Sequence, residues 1–406
     1  MIFLILCGVM SLVQGPLAAQ ELQALARIKP EASRISSGGP DEARIFLGLT
    51  QAVPYRVFTL ANPPRLVADF REVNFAGLDP EALIRTRLVT EARFGIFRPG
   101  WSRLVLLLQE PMRIKTVEMK TNEISGAADL NVVLRLTDPE TFAAQSGASE
   151  GALWQADLPM LPVVAKTRPD GHRSVVVALD PGHGGIDPGA QYQSYDEADL
   201  MLKLARELKE RLVLSGNYTV FLTRSEDVFV SLPERVRRAR EGGADIFISL
   251  HADALASGDA TGTTIYTLSD LASDKASDEL AAAHDHLDLL AGVDLSEQGD
   301  LIAAVLMDMA RVETQPRSEK LADELVEGIA DGIGRIRSRP RLSAGFSVLK
   351  APDIPSVLIE FGFMSNPTDL KNLTNKDWRI KAIEGIVNAL DRWSISDAAE
   401  GKLLRQ

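Results

Sequence analysis

Four residues carry the chemistry this sequence can offer: His183, Glu197, His251 and Glu360. His183 stands in "LDPGHGGIDPGA", His251 follows "IFISL", Glu197 opens "EADLMLKLARELKERL" and Glu360 ends "SVLIE". Two imidazoles and a carboxylate that leave one position open form a donor set suited to catalytic zinc. A second carboxylate nearby can act as general base toward a water at such a metal. There is no compact HExxH helix, so the ligands would come from scattered elements. Each residue also has an ordinary structural reading. His183 would be a turn histidine, and His251 a strand-end ring satisfied by backbone. Glu197 would be a first-turn carboxylate favoured by the helix dipole, and Glu360 a buried carboxylate paired with an arginine.

The surrounding pattern says which elements must position them. The β-branched run 175–179 ends in Gly and Pro, which predicts a buried strand running into a loop. From residue 174 onward, strand-like runs ("SVVVALD", "YTVFLTR", "ADIFISLHAD", "TTIYTL", "FSVLKA", "SVLIEFG") alternate with helical patterns at 197–214, 231–241, 272–291, 297–313, 317–334 and 376–393. This alternation predicts an α/β catalytic domain over 173–395, its mostly parallel twisted sheet flanked by helices. Functional groups then gather beyond the carboxyl ends of the strands, where His183, His251 and Glu360 fall. Before it, short strand-like runs such as "ARIFLGLT", "YRVFTLA", "RLVADFR" and "SRLVLLLQ" predict an all-β sandwich over 41–140. Residues 20–40 read as a leader, 141–172 as a linker rich in small residues and proline, and 396–406 as a tail.

At 406 residues the chain is long enough for two or three domains, and 45% apolar with 25% charged residues is ordinary globular composition. A net charge of -12 excludes a nucleic-acid binder of the usual kind, which needs a basic face. Residues 2–13 are an apolar run too short to span a bilayer, followed by small residues to Ala19. This is the pattern of a secretory signal peptide cleaved near Ala19. Cleavage would remove Cys7, the only cysteine, and leave an exported protein without disulfides.

Taken in order, "LDPGHGGIDPGA", "EADLMLKLARELKERL", "FLTRSEDVFVSLPERVRRA", "ADIFISLHADA" and "SVLIEFGFMSNPTD" resemble the motifs of the zinc-dependent N-acetylmuramoyl-L-alanine amidases of the Amidase_3 family, over about residues 174–394. "VPYRVFTLANPPRLVADF" resembles the AMIN domain, a β-sandwich that targets such amidases to peptidoglycan and the division site. The resemblance implies one zinc ion per chain held by His183, Glu197 and His251, with Glu360 catalytic. It implies cleavage of the amide between the lactyl group of N-acetylmuramic acid and L-alanine of the stem peptide. Glu360 would take the water proton and pass it to the leaving amine. A free Glu titrates near about 4.3, so burial must raise it for the acid role. Asp180 and Asp253 would orient the histidines through hydrogen bonds, or equally serve as turn or cap residues. The order of segments implies a periplasmic enzyme with peptidoglycan as substrate and division-site proteins as further partners.

One segment exceeds a bare catalytic domain. Residues 269–314 interpose between "TTIYTL" and the next helix, and 269–300 carry nine Asp or Glu against one Lys. The segment resembles the regulatory insertion of division amidases, whose helix covers the zinc until a partner of LytM-domain type removes it. A Glu often fills the open zinc position there. The corresponding place here falls on His284, with Asp285 next, a departure that neutral His can accommodate as a ligand. The alternative leaves His284 and His286 facing solvent. Two rival functions remain open: a silent wall-binding adaptor, and a zinc peptidase acting within the stem peptide.

Overall fold

The computed structural model describes residues 26–98, 100–122, 124–147, 173–254, 261–290, 301–334 and 336–403. The expected signal peptide and residues 148–172 of the expected linker lie outside the described residues.

Alternating apolar and polar residues build the first domain. Its long strands are β1 (Ala26–Gly39), β2 (Glu42–Leu49), β3 (Tyr55–Leu60), β4 (Arg65–Arg71), β5 (Val89–Arg98), β6 (Trp101–Leu108), β7 (Met112–Thr121) and β8 (Ala128–Leu136). They form two antiparallel sheets, β1-β2-β8-β7 and β3-β4-β6-β5. Ile35, Ile45 and Leu47 of one sheet meet Leu66, Phe70 and Leu104 of the other in one buried cluster. Helix α1 (Pro139–Gln145) follows, capped by Asp138, whose carboxylate accepts the Thr141 amide.

The sandwich begins earlier than expected. Residues 26–39, expected to belong to a leader, form its longest strand. A register shift between Lys29 and Arg34 absorbs the Pro30 stretch, so the alternation that buries Ile28 and Ile35 is broken and does not read as one strand.

The second domain is the expected α/β unit. Its elements are β9 (Val175–Pro181), α2 (Glu197–Ser215), β10 (Tyr218–Leu222), α3 (Leu232–Glu241), β11 (Ile246–His251), β12 (Thr264–Leu268), α4 (Lys275–Leu290), α5 (Leu301–Ile333), β13 (Arg341–Ala344), β14 (Ser356–Glu360), α6 (Pro367–Thr374) and α7 (Lys376–Leu403). The sheet order is β10-β9-β11-β14-β12-β13. The first four strands are parallel, and the pair β12 and β13 runs opposite to them. Successive strand residues face opposite ways. Val177 and Leu179 therefore join α2, α5 and α7 through Leu208, Leu325 and Ile386, while Ala178 joins α3 and α4 through Ala239 and Leu280. Helices α5 and α7 approach closely: a Cβ on Gly328 would lie 2.3 Å from the Gly385 carbonyl oxygen.

Three local expectations differ. The helices expected at 297–313 and 317–334 are the single α5, which runs through Pro316. The strand expected at 346–351 is a short 3-10 turn, Ser347–Leu349, and the paired strand is β13 just before it. The expected tail from 396 is helical to Leu403.

Candidate metal centre

Strand β9 delivers the chain into the glycine-rich loop at the carboxyl edge of the sheet. His183 takes a left-handed backbone (φ 59°), flanked by Gly184 at φ 124°. Two glycines are there because rings pass close to them. A Cβ on Gly182 would sit 2.3 Å from His251 Cε1, and one on Gly189 2.6 Å from His183 Cδ2. Strands β11 and β14 pair in register at His251 and Glu360, so both side chains leave neighbouring strands at the same level.

The expected donors converge. Glu197 Oε1 lies 3.1 Å from His183 Nε2 and 3.1 Å from His251 Nδ1. The same oxygen accepts the Ala252 amide at 2.9 Å, and Oε2 accepts the Ala190 amide at 3.0 Å. His284 of α4 completes the cluster: its ring stacks on His251 with centroids 4.3 Å apart and lies 5.7 Å from that of His183. One nitrogen from each of the three histidines falls within 4.8 Å of the others. Glu360 Oε1 accepts the Asp253 amide at 2.7 Å, and no arginine partners its carboxylate among the described residues.

His284 Nε2 and Glu360 Oε2 are buried without a hydrogen-bond partner, and His183 Nε2 faces only the Glu197 oxygen, outside good hydrogen-bond geometry at 3.1 Å. Orphaned buried polar atoms are costly unless something binds them. Two imidazoles, a carboxylate oxygen and a third imidazole are the donor chemistry of zinc, so the residues fit that ion.

Charge at the site is strongly partitioned. Burial disfavours the His183 imidazolium, but the carboxylates of Asp187 and Glu197 outweigh it and hold the ring well above its ordinary pKa. Burial pushes His251 down to about 4, helped by His284. Burial would raise Glu197, yet His183 and His251 hold it well below the usual carboxylate range. Burial, then Glu197 and Asp253, push Glu360 well above that range, as the sequence argument required of a proton donor.

The residue that orients His183 lies outside the expected pair Asp180 and Asp253. Asp187 orients His183, its Oδ2 2.8 Å from Nδ1 and its Oδ1 accepting the Gly189 amide at 3.0 Å. It stood four residues after His183 in the same quoted motif, and that spacing was the available signal. Asp180 touches neither histidine. It accepts Arg235 at 2.8 Å, Thr223 at 2.5 Å and Ser249 at 2.7 Å. Arg235 in turn donates to the carbonyls of Pro181 at 2.7 Å and His183 at 2.8 Å. Arg224 donates to Pro181, Gly182 and Ala198 carbonyls. These two buried arginines, missed in the sequence, fix the backbone of the histidine loop. Asp253 contributes its amide to Glu360, and its carboxylate lies 3.7 Å from His284 Nε2. Asp285 points away from the cluster, accepting the Ser347 hydroxyl at 2.7 Å. Leu280 and Ala281 press α4 against Phe346 and Leu349.

The chain matches the profile of the N-acetylmuramoyl-L-alanine amidases over residues 177–392 and that of the AMIN domain over 33–134. It is 33% identical over 365 residues to N-acetylmuramoyl-L-alanine amidase AmiC of Neisseria meningitidis serogroup B, with 86% of each chain covered. It is 30% identical over 393 residues to N-acetylmuramoyl-L-alanine amidase AmiC of Escherichia coli O6:H1, covering 93% of this chain and 91% of that one. With N-acetylmuramoyl-L-alanine amidase AmiA of Escherichia coli K12 it shares 34% over 227 residues, 55% of this chain and 78% of that one. No helix among the described residues is long and apolar enough to cross a membrane. With both profiles matched in this order, and relatives aligned along most of their length, the chain belongs to the N-acetylmuramoyl-L-alanine amidase family: it is a peptidoglycan amidase that carries an AMIN domain ahead of its catalytic domain.

Proposed function

We propose that His183, Glu197 and His251 hold one zinc ion, that Glu360 moves the protons of amide hydrolysis, and that His284 closes the remaining ligand position until a partner withdraws α4. The observation that carries this is the convergence of one nitrogen from each of His183, His251 and His284 within 4.8 Å of one another, with Glu197 Oε1 3.1 Å from His183 Nε2 and from His251 Nδ1. Zinc, when bound, supplies a Lewis acid that activates water and polarises the scissile carbonyl.

The chain's own residues supply the rest. Glu360 accepts a proton from the attacking water on its free oxygen while the Asp253 amide fixes the other oxygen at 2.7 Å. Its raised pKa lets it hold that proton and then give it to the departing amine of L-alanine. Asp187 Oδ2 fixes Nδ1 of the His183 ring at 2.8 Å, which would leave Nε2 as the ligand atom once zinc displaces its proton. Burial keeps His251 neutral, as a ligand must be.

With α4 seated, His284 occupies the space a substrate carbonyl and water need. A partner that binds α4 or the start of α5 shifts a closed population toward an open one. An activator of LytM-domain type fits this role, with peptidoglycan as substrate. A signal peptide ending near Ala19, a periplasmic location and septal wall splitting complete the proposal. Metal analysis of the purified chain tests it. One zinc per chain is expected, lost in His183→Ala and kept in Glu360→Ala; a chain that binds no zinc would reduce the protein to a wall-binding adaptor.

A further inference from the structure

We infer that the free edge of β5 docks on the loop that carries His183, so that the β-sandwich domain positions the metal site from outside the catalytic domain. Strand β5 is the outer strand of β3-β4-β6-β5, so one row of its backbone groups has no partner within the sheet. One of them is used across the domains: the Phe229 amide donates to the Ile96 carbonyl at 3.3 Å. Phe97 stacks on Phe229 at 5.8 Å between centroids and 19° between planes, and Ile186 buries with them.

Glycines mark the approach on both sides. A Cβ on Gly95 would meet the Ile186 backbone nitrogen at 3.0 Å. One on Gly185 would lie 2.2 Å from the Ile96 carbonyl oxygen. A glycine inside a strand is unfavourable unless another backbone must come close. Here one does, and it is the catalytic loop.

The contact is braced from both domains. On the sandwich side, buried Arg103 is gripped by Asp69, at 2.5 Å and 3.0 Å, and lays its guanidinium carbon 3.4 Å from the centre of the Phe97 ring. On the catalytic side, the Gly185 amide donates to Asp227 at 2.7 Å, tying the histidine loop to the segment that carries Phe229. Arg93 of β5 places Nη1 3.9 Å from Asp187 Oδ1, whose other oxygen holds the His183 ring. A path of direct contacts therefore runs from Asp69 through Arg103 and Phe97 to the loop. Arg93 and Phe97 are positioning residues; neither touches the reacting atoms. The consequence for metal binding rests on His183 being a ligand, whereas the docking does not.

Hydrogen exchange on the full chain tests this, with Gly95→Val, Phe97→Ala and Phe97→Tyr. Valine suits an edge strand better than glycine, so Gly95→Val leaves the sandwich folded while blocking the approach to Ile186. Exchange at 184–187 and 227–229 should rise about fivefold or more in Gly95→Val and Phe97→Ala, and return toward the parent in Phe97→Tyr, which keeps the stacked ring. Zinc affinity, read by competition with a chelator, should fall roughly tenfold in the first two. Unchanged exchange at those amides in both, with sandwich amides as protected as in the parent, overturns the docking. Raised exchange with unchanged zinc affinity overturns the positioning role. If a sandwich variant unfolds, Phe229→Ala makes the same test from the catalytic side. A His183→Ala chain that binds zinc as tightly as the parent sinks the ligand assignment alone, because the exchange result stands without it.

Discussion

Replacing His284 with alanine should turn a closed enzyme into a partly open one. His284 is 6% exposed, its Nε2 has no hydrogen-bond partner, and its ring stacks on His251. Removing it leaves α4 otherwise anchored, because Leu280 and Ala281 stay buried and Asp285 keeps Ser347 at 2.7 Å. The helix backbone does not suffer, since alanine is the better helix former by a few tenths of a kcal/mol, about 0.5. On the proposed role of His284, what disappears is the bond from a buried imidazole to a charged centre, worth about 1.5–3 kcal/mol by analogy with charge-assisted hydrogen bonds. At about 1.4 kcal/mol per tenfold, the closed state loses roughly ten- to a hundredfold in its favour. The assay is the initial rate of dye release from labelled peptidoglycan without any partner, on protein whose zinc content and melting temperature match the parent. A rise of about tenfold or more is expected. A folded, zinc-loaded His284→Ala chain within twofold of the parent would refute the claim that this ring closes the site.

Three further outcomes follow from the same geometry. Glu360→Gln should keep zinc and lose roughly a thousandfold in turnover. In chelated protein it should also gain stability near neutral pH. Burial holds Glu360's folded pKa well above its ordinary value, so the parent carries an ionisation penalty at neutral pH. The gain, read as a melting-temperature difference, should vanish below about pH 4, where both states hold the proton. Asp187→Ala removes the Nδ1 partner of His183 and should weaken zinc binding about 10–100-fold in a chelator competition. Arg235→Ala strands the fully buried Asp180 carboxylate and should cost about 3–5 kcal/mol in denaturant unfolding.

Much of this was readable before the structure, and the reason is local. His183, Glu197, His251 and Glu360 each sit at the end of a strand or the start of a helix whose pattern is strong, and parallel sheets bring such ends together. The fold class followed from the same alternation. What the sequence hid depends on long-range contact. Arg235 reads as one more charge on an arginine-rich helix, and only the fold shows it 3% exposed against Asp180. Strand β1 hid behind Pro30 and a register shift. Asp253 and Asp285 both stand near the histidines in sequence terms, yet Asp253 serves Glu360 through its backbone amide and the Asp285 carboxylate is turned to Ser347, each more than sixty residues away. The contact between Gly95 and the histidine loop crosses two domains and leaves no trace in either motif.

The central claim is hydrolysis of the bond between muramic acid and L-alanine at a zinc centre formed by His183, Glu197 and His251. Its most direct test is mass spectrometry of the products from purified peptidoglycan, incubated with zinc-loaded protein lacking residues 270–300. Free stem peptides beginning with L-alanine, together with peptide-free glycan strands, are the expected result. Cuts within the stem peptide, or intact wall with zinc bound and the fold verified, would contradict it.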